Sequence, residues 1–307
     1  MGKRGWVLLA ASLGLALALG VTGAGGASAA PLGQAAPAAP AAQAAPVAGS
    51  AEYVGMDTCV QCHEEVVKAF KTTPHAASSQ GCEGCHGPGK AHVDGGGDKT
   101  KIKVFSTMSA LDSSSTCMEC HNKGGQKHWV GSTHDTRRMA CTACHDPHPK
   151  GPAPKGLLKQ PQMLLCTSCH LQKKAQLLRP GHMPLREGQM QCTSCHNPHG
   201  SPNDKMLLQT SVNQNCYTCH AEKRGPFLWE HAPVRENCLN CHDAHGTINE
   251  KMLKVKQPLL CQQCHQTSSH PGPAYPAQSR YAFNQGCLHC HPAIHGSAHP
   301  SGNRFFR

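Results

Sequence analysis

All twenty cysteines of this chain lie in ten copies of one five-residue pattern, Cys-x-x-Cys-His. Two thiols separated by two residues can each form a thioether bond to one vinyl group of a haem, and the histidine that follows places an imidazole under the iron. The pattern therefore predicts ten covalently attached haem c groups. The predicted thioether cysteines are Cys59, Cys62, Cys82, Cys85, Cys117, Cys120, Cys141, Cys144, Cys166, Cys169, Cys192, Cys195, Cys216, Cys219, Cys238, Cys241, Cys261, Cys264, Cys287 and Cys290. The predicted proximal ligands of the iron are His63, His86, His121, His145, His170, His196, His220, His242, His265 and His291.

Zinc binding and disulfide formation are the alternatives to haem attachment for paired cysteines. A structural zinc site takes two such pairs and does not need a histidine directly after each of them. A redox-active Cys-x-x-Cys motif does not need that histidine either, and it rarely occurs ten times in one chain. Because a histidine follows every pair and no cysteine is left over, the sequence favours haem.

The N-terminal segment has the pattern of a secretory signal peptide, which we predict over residues 1–30. A basic start precedes an apolar run that ends at Val21, and small residues at 27–29 are typical of a cleavage site. The alternative is a retained anchor, but the run is short for a membrane span. Export agrees with the haem prediction, since c-type haem is attached outside the bacterial cytoplasm.

Residues 31–51 are rich in alanine and proline, so we predict a disordered linker there. The decahaem cytochrome domain is predicted over 52–307, with two pentahaem halves of about 52–180 and 181–307. Hydrophobic residues make up 38% of the chain and aromatic residues 4%. Since about 23 residues are available per haem, the polypeptide cannot build an ordinary core. The predicted fold class is therefore mainly short α-helices and loops wrapped around a linear stack of ten haems, with almost no β-sheet.

The net charge of +11 raises the possibility of nucleic-acid binding. Ten haems would bring about twenty propionate carboxylates, and about ten positive charges from ferric iron in the dianionic porphyrin would offset only half of them. The basic surplus is better explained by neutralisation of propionates. No aromatic stacking pattern supports a nucleic-acid partner.

Successive motif histidines are separated by 22–26 residues, apart from one interval of 35. A near-constant spacing predicts a row of units that stack on their neighbours. The row has a two-haem period, because one type of motif is followed closely by another histidine, and the alternating type has a histidine farther on. This alternation predicts one distal ligand for each iron. The near set is His92, His148, His199, His245 and His295, and the far set is His75, His134, His182, His231 and His270.

Solvated surface residues are the alternative for non-motif histidines, but ten in register with the motifs favour axial ligation. His128, His289 and His299 are then spare, and His299 competes with His295. A near-set residue such as His148 cannot readily reach the opposite face of the haem beside it. We therefore expect near-set histidines to ligate a neighbouring haem. The methionines show no register with the motifs and are interpreted as packing residues.

Two histidines on each iron leave no open position for a substrate, and catalysis at haem generally needs one. The sequence thus favours an electron-transfer protein over an enzyme. A multihaem reductase is the less favoured alternative, because it needs a five-coordinate haem, often marked by a variant motif that ends in lysine. A soluble periplasmic electron shuttle is the third possibility.

From about residue 53 onward, the chain resembles the periplasmic decahaem cytochromes of the Mtr-type outer-membrane conduits and their DMSO-respiration relatives. The resemblance is sharpest in Cys216–Pro226, Leu228–Val234, Cys261–His265 and Ile294–Gly302. It implies a protein in the periplasm, threaded into an outer-membrane β-barrel porin. It also implies electron exchange with periplasmic or inner-membrane quinol-linked cytochromes and with a cell-surface multihaem cytochrome or extracellular iron. Ferric mineral reduction, DMSO respiration and ferrous iron oxidation all stay open, because a relay does not encode its direction.

Overall fold

The structure of the protein is a computed structural model that describes residues 52–77, 81–266 and 286–306. The predicted signal peptide, the predicted linker and His270 lie outside these ranges. All the described residues belong to one unit, Gly49–Arg307. The division into two pentahaem halves stays a prediction.

The unit consists of short helices joined by turns and loops. The α-helices are α1 Met56–Phe70, α2 Glu83–His86, α3 Lys90–Asp94, α4 Ala110–Met118, α5 Thr133–Thr136, α6 Gln162–Cys169, α7 Leu171–Leu177, α8 Val212–Tyr217, α9 Ala232–Glu236 and α10 Leu259–Gln262. Single 3₁₀ turns lie at Pro74–Ala77, Lys99–Lys101, Gly124–Gln126, Cys141–Ala143, Lys155–Leu157, Cys192–Ser194, Asp204–Met206, Ala221–Lys223, Cys238–Asn240, Glu250–Met252, Cys287–His289 and Gly302–Arg304.

Extended pairing in the described ranges is limited to isolated two-residue bridges, and no strand forms there. Three of these bridges recur at equivalent places, between a motif histidine and a leucine 11 to 13 positions later: His145 with Leu158, His196 with Leu207, and His242 with Leu253. The predicted fold class of short helices and loops with almost no sheet is confirmed for this part of the chain.

The motifs alternate between two local structures. The first, third, fifth, seventh and ninth motifs lie in or at the end of α1, α4, α6, α8 and α10, whereas the fourth, sixth, eighth and tenth begin on 3₁₀ turns. The second motif is the exception, because α2 covers most of it. Two of the motif-bearing helices start at a serine that accepts a backbone hydrogen bond: Ser109 caps α4 and Ser211 caps α8. The two-haem period of the sequence is therefore also a period of local structure.

Apolar packing within the polypeptide is sparse. The buried apolar side chains of the described ranges are Val67, Phe70, Trp129, Leu157, Leu177 and Phe305. A chain of this length normally buries many more. The sparse packing agrees with an interior supplied mainly by a cofactor.

Within the described ranges, no helix has the length and apolar character needed to cross a bilayer.

Candidate haem-binding sites

Each motif forms a single tight turn that brings its two thiols and its imidazole together. In the second motif, the backbone N–H of His86 donates to the carbonyl of Cys82 over 3.0 Å. The equivalent bond from His145 to Cys141 is 3.0 Å long, and the later motifs repeat it. Residues three and four positions apart share one face of such a turn. The turn therefore presents both cysteines and the histidine to one porphyrin.

Neighbouring motifs approach each other through their cysteines, in the order of the sequence. First cysteines meet within motif pairs: Cys59 with Cys82, Cys117 with Cys141, Cys166 with Cys192, Cys216 with Cys238, and Cys261 with Cys287. Second cysteines lie close together between pairs: Cys85 with Cys120, Cys144 with Cys169, Cys195 with Cys219, and Cys241 with Cys264. The ten motifs thus form one continuous sequence of neighbours.

The thiol contacts within motif pairs are hydrogen bonds. The bond between Cys117 and Cys141 raises the pKa of the Cys117 thiol, and it lowers the pKa of Cys141 to about 6. In the next motif pair, the bond from Cys166 lowers the pKa of Cys192 to about 7. The two sulfurs of a motif pair therefore lie side by side, and with them the thioether positions of two haems.

Motif histidines face distal candidates as pairs of rings. The ring centroids are separated by 6.3 Å in His63–His92, 5.9 Å in His75–His121, 6.0 Å in His86–His148, 6.3 Å in His134–His170, 5.9 Å in His145–His199, 6.2 Å in His196–His245, 6.2 Å in His231–His265 and 6.2 Å in His242–His295. A metal–imidazole bond of about 2.0 Å on each side, with about 1.1 Å from nitrogen to ring centre, places two axial imidazoles about 6.2 Å apart. The facing rings therefore fit an iron held between them.

The pairs follow a rule of register. Near-set residues His148, His199, His245 and His295 each face the motif histidine two motifs earlier. The far-set residues His75, His134 and His231 each face the motif histidine two motifs later. His92 faces the histidine of the motif directly before it. Each histidine would therefore tie its own segment to a haem attached elsewhere in the chain.

Burial keeps most of the distal candidates in the neutral form that binds iron. Burial lowers the pKa of six of them, and a neighbouring histidine lowers it further. These six are His75, His148, His199, His231, His245 and His295.

An asparagine or aspartate directly after the motif histidine holds the near-set residue in place. The Asp146 carboxylate accepts the backbone N–H of His148 over 2.9 Å. Asn197 does the same for His199 over 3.1 Å, and Asp243 for His245 over 3.0 Å. A carboxylate or amide two residues before the histidine closes a tight turn, and this turn fixes where the imidazole points.

His182 is the exception to this pairing. As a far-set residue, it would be expected to face His220, the motif histidine two motifs later. His182 instead places Nδ1 2.6 Å from the carbonyl of Arg179 and Nε2 3.1 Å from Glu187 Oε1. His220 Nδ1 lies 3.5 Å from Glu222 Oε1. Among the described residues, no ring contact joins His182 to a motif histidine. The ligand role of His182 stays a prediction.

At the C-terminal end, the far-set residue His270 lies outside the described residues. His291 stacks on Phe306 with a centroid separation of 4.7 Å. Of the spare histidines, His299 accepts the backbone N–H of Ser301 at Nδ1 over 3.1 Å. The ring facing His242 belongs to His295 rather than to His299.

Sequence reasoning missed one set of contacts, which are carbonyl groups that accept from motif histidines. Nδ1 of His145, His196 and His242 lies 2.6, 2.9 and 2.9 Å from the carbonyls of Gly156, Lys205 and Lys251. The available signal was the similarity between the stretches 200–208 and 246–254, which share an Asn-x-Lys-Met-Leu core.

Repeated Cys-x-x-Cys-His turns, thiol contacts between successive motifs and facing imidazoles define a multihaem c-type cytochrome, whose cysteines carry covalently bound haem. A family model described as a doubled CXXCH motif matches residues 182–225 and 231–270, and a model described as cytochrome c-type protein NrfB-like matches 82–169. The chain is 46% identical over 269 residues to the multihaem cytochrome MtrA of Shewanella baltica, a match that covers 81% of this chain and 80% of the relative. The chain belongs to the MtrA family of multihaem cytochromes.

Two more distant relatives are multihaem or c-type cytochromes as well. The c-type polyheme cytochrome OmcB of Geobacter sulfurreducens is 24% identical over 215 residues, which is 53% of this chain and 28% of the relative. The cytochrome c-type protein NrfB of Haemophilus influenzae is 28% identical over 109 residues, which is 33% of this chain and 48% of the relative. The protein is therefore an electron-transfer cytochrome.

Proposed function

We propose that the protein carries ten haems with two histidines on each iron and conducts electrons along them. The observation that carries this proposal is the continuous row of neighbouring cysteines along successive motifs. Because those thiols are the attachment points, the row brings each porphyrin beside the next. The polypeptide supplies spacing, orientation and potential, and the haem supplies the electron exchange.

We further propose that the row crosses the outer membrane inside a β-barrel porin. The predicted signal peptide would export the chain to the periplasm, and periplasmic or quinol-linked cytochromes would exchange electrons with one end. A cell-surface multihaem cytochrome or extracellular iron would exchange them with the other. Membership of the MtrA family supports this arrangement, and the relative OmcB is itself a polyhaem cytochrome.

Transfer of electrons across a membrane tests the conduit directly. Vesicles containing the barrel protein would enclose a reduced viologen dye, and the purified cytochrome would be inserted with the barrel. We expect external ferric citrate to oxidise the enclosed dye only when both proteins are present. Dye oxidation at the same rate with the barrel alone would contradict the proposal.

A multihaem reductase is the second candidate, and the position of His182 is the observation that favours it. Nε2 of His182 contacts Glu187, so this ring does not face His220. An iron ligated only by His220 would have an open position for a substrate. Carbon monoxide added to the reduced protein discriminates the two functions. A conduit with ten six-coordinate haems leaves the absorption spectrum unchanged, whereas a reductase shows about a tenth of the haem binding the gas.

A soluble periplasmic shuttle is the third candidate. It would exchange electrons in solution and would not need a barrel. Co-purification separates it from the conduit, because a conduit stays with the outer-membrane fraction in detergent extracts and a shuttle is released with the periplasmic contents.

A further inference from the structure

Three turns of the same shape lie against the proximal histidines of the fourth, sixth and eighth motifs. We call the segments 154–158, 203–207 and 249–253 the carbonyl turns. In the turn at 203–207, the carbonyl of Lys205 lies 2.9 Å from Nδ1 of His196. The next carbonyl, that of Met206, accepts the backbone N–H of Asn197 over 2.8 Å. Two successive carbonyls are thus aimed at one motif histidine and the residue after it.

The turn at 249–253 repeats these contacts. The carbonyl of Lys251 lies 2.9 Å from Nδ1 of His242. That of Met252 accepts the backbone N–H of Asp243 over 2.9 Å. In the turn at 154–158, the carbonyls of Gly156 and Leu157 bind His145 and Asp146 in the same way, over 2.6 and 2.7 Å.

Aiming two carbonyls in this way requires an unusual backbone. Lys205 and Met206 have φ values of 52° and 54°, and Lys251 and Met252 have 53° and 56°. Residues other than glycine rarely adopt this left-handed conformation. They do so mainly at functional positions, where the surrounding structure enforces it. Consecutive left-handed residues recur beside three motif histidines. This recurrence indicates that the left-handed backbone serves to hold the carbonyl against the histidine.

The ninth motif offers a contrast within the same chain. Its histidine, His265, faces His231 at 6.2 Å. Nδ1 of His231 is buried and has no hydrogen-bond partner in the described part of the chain. The ring of His231 instead lies edge-on to Phe305, with a centroid separation of 5.5 Å.

We propose that the carbonyl turns lower the reduction potentials of the fourth, sixth and eighth haems relative to that of the ninth. The inference rests on the proposed ligation of each iron by two histidines. When Nδ1–H donates to a carbonyl, the ring gains electron density and its other nitrogen becomes a stronger donor, which stabilises ferric iron. The unpartnered ring of His231 is the weaker donor. Electrons on the row therefore favour the ninth haem over the haems that carry carbonyl turns.

Two substitutions of Met206 test the turn without changing the charge of the protein. Met206→Pro locks φ near −65° and pushes Lys205 into an extended conformation, so the two carbonyls leave His196 and Asn197. Met206→Gly tolerates the left-handed conformation and keeps the turn. Both variants lose the Met206 side chain, and only the proline variant loses the hydrogen bond.

Potentiometric titration of the purified holoproteins, followed by haem absorbance, gives the readout. In Met206→Pro, we expect about a tenth of the total absorbance change to move to higher potential, while Met206→Gly titrates like the wild type. Identical curves for the two variants would overturn the proposal. The pair Met252→Pro and Met252→Gly repeats the test at the eighth haem.

The wild-type protein supplies a measurement that needs no variant. In the fully reduced, diamagnetic protein labelled with ¹⁵N-histidine, we expect slowly exchanging Nδ1–H protons for His145, His196 and His242. Fast exchange of all three would overturn the inference even if every haem is ligated by two histidines. High-spin haem in the wild type would instead contradict the proposed function.

Discussion

The angle between the two imidazole planes divides the facing pairs into two kinds. Six pairs are close to parallel, with angles from 16° in His242–His295 to 21° in His145–His199. The pair His75–His121 lies at 82° and the pair His134–His170 at 66°. The angle sets the splitting of the iron d orbitals, so it affects each haem's magnetic signature as well as its geometry.

Electron paramagnetic resonance of the oxidised protein should therefore show two kinds of low-spin signal. We expect rhombic signals from the near-parallel pairs and strongly anisotropic signals with a large g maximum from the third and fifth haems. His134→Met should reduce the anisotropic signal, whereas the matched variant His199→Met should leave it intact. A spectrum with rhombic signals alone would contradict these ring angles.

Glu83 is a buried carboxylate that joins the start of the described chain to the second motif. It accepts backbone N–H groups from Val54, Gly55 and Gly89 over 3.0, 2.9 and 2.8 Å. Burial raises the pKa of Glu83, but the three donors outweigh it and the net pKa is lowered. The ionised form is therefore the one that holds this tether.

Replacing Glu83 by glutamine should loosen the tether at neutral pH. A folded pKa below the ordinary value of 4.5 stabilises the protein above that value, and this contribution is lost as the pH falls through the folded pKa. We expect Glu83→Gln to reduce the free energy of opening at Val54 and Gly55 by about 1–3 kcal/mol at pH 7. The difference should vanish well below pH 4.5. Amide hydrogen exchange measures it, and the exposed Glu65→Gln serves as the control.

At the residue scale, the sequence indicates which histidines are candidate ligands, but it does not predict which of them face one another. The motif histidines and near-set residues such as His199 stand out because of their spacing. The carbonyl contact of His196 could not be predicted, because a backbone carbonyl carries no side-chain signature. The position of His182 could not be predicted either, because Glu187, five residues later, offers its ring an alternative hydrogen-bond partner.

At the scale of elements, the glycines that follow three of the near-set histidines allow separate segments to touch. Gly246 follows His245 with φ of +137°, and a Cβ placed on it would overlap the carbonyl of Gln176 at the end of α7. Beside it, Gly181 and Thr247 exchange two backbone hydrogen bonds of 3.1 and 2.7 Å. This contact joins the segment after the fifth motif to the segment after the eighth.

Gly246→Ala should therefore destabilise the protein. The added methyl group meets backbone rather than a flexible side chain, so we expect a loss of about 2–4 kcal/mol. Gly188→Ala is a matched control, because φ at Gly188 is +72° and nothing lies within 4 Å of its Cβ position. That control should lose about 1 kcal/mol. Chemical unfolding followed by haem absorbance compares the two, and equal losses would contradict the close contact.

The two-haem period of the elements was visible in the sequence, but the elements themselves were not. The near and far histidines predict alternating motifs without showing that one type ends a helix and the other starts on a 3₁₀ turn. Helices such as α8, of six residues, are too short for hydrophobic periodicity to reveal them. Their positions are set by where each motif must meet a cofactor.

At the scale of the whole molecule, the facing histidines connect each segment to motifs both earlier and later in the chain. Near-set residues reach two motifs back and far-set residues reach two motifs forward. Each iron would therefore join two distant segments, and the folded state would depend on haem more than on apolar packing.

Circular dichroism of the chain produced without haem attachment should show little helix, and a native-like helical spectrum would contradict this dependence.

Porphyrin iron with an imidazole on each side is proposed to form a continuous row through the protein. The most direct test combines the intact mass of the purified protein with near-infrared magnetic circular dichroism of its oxidised form. We predict the mass of the mature polypeptide plus ten haems, and a charge-transfer band typical of two histidine ligands on every iron. A mass equal to the polypeptide alone, or a spectrum dominated by high-spin haem, would show that no such row of bis-histidine haems exists.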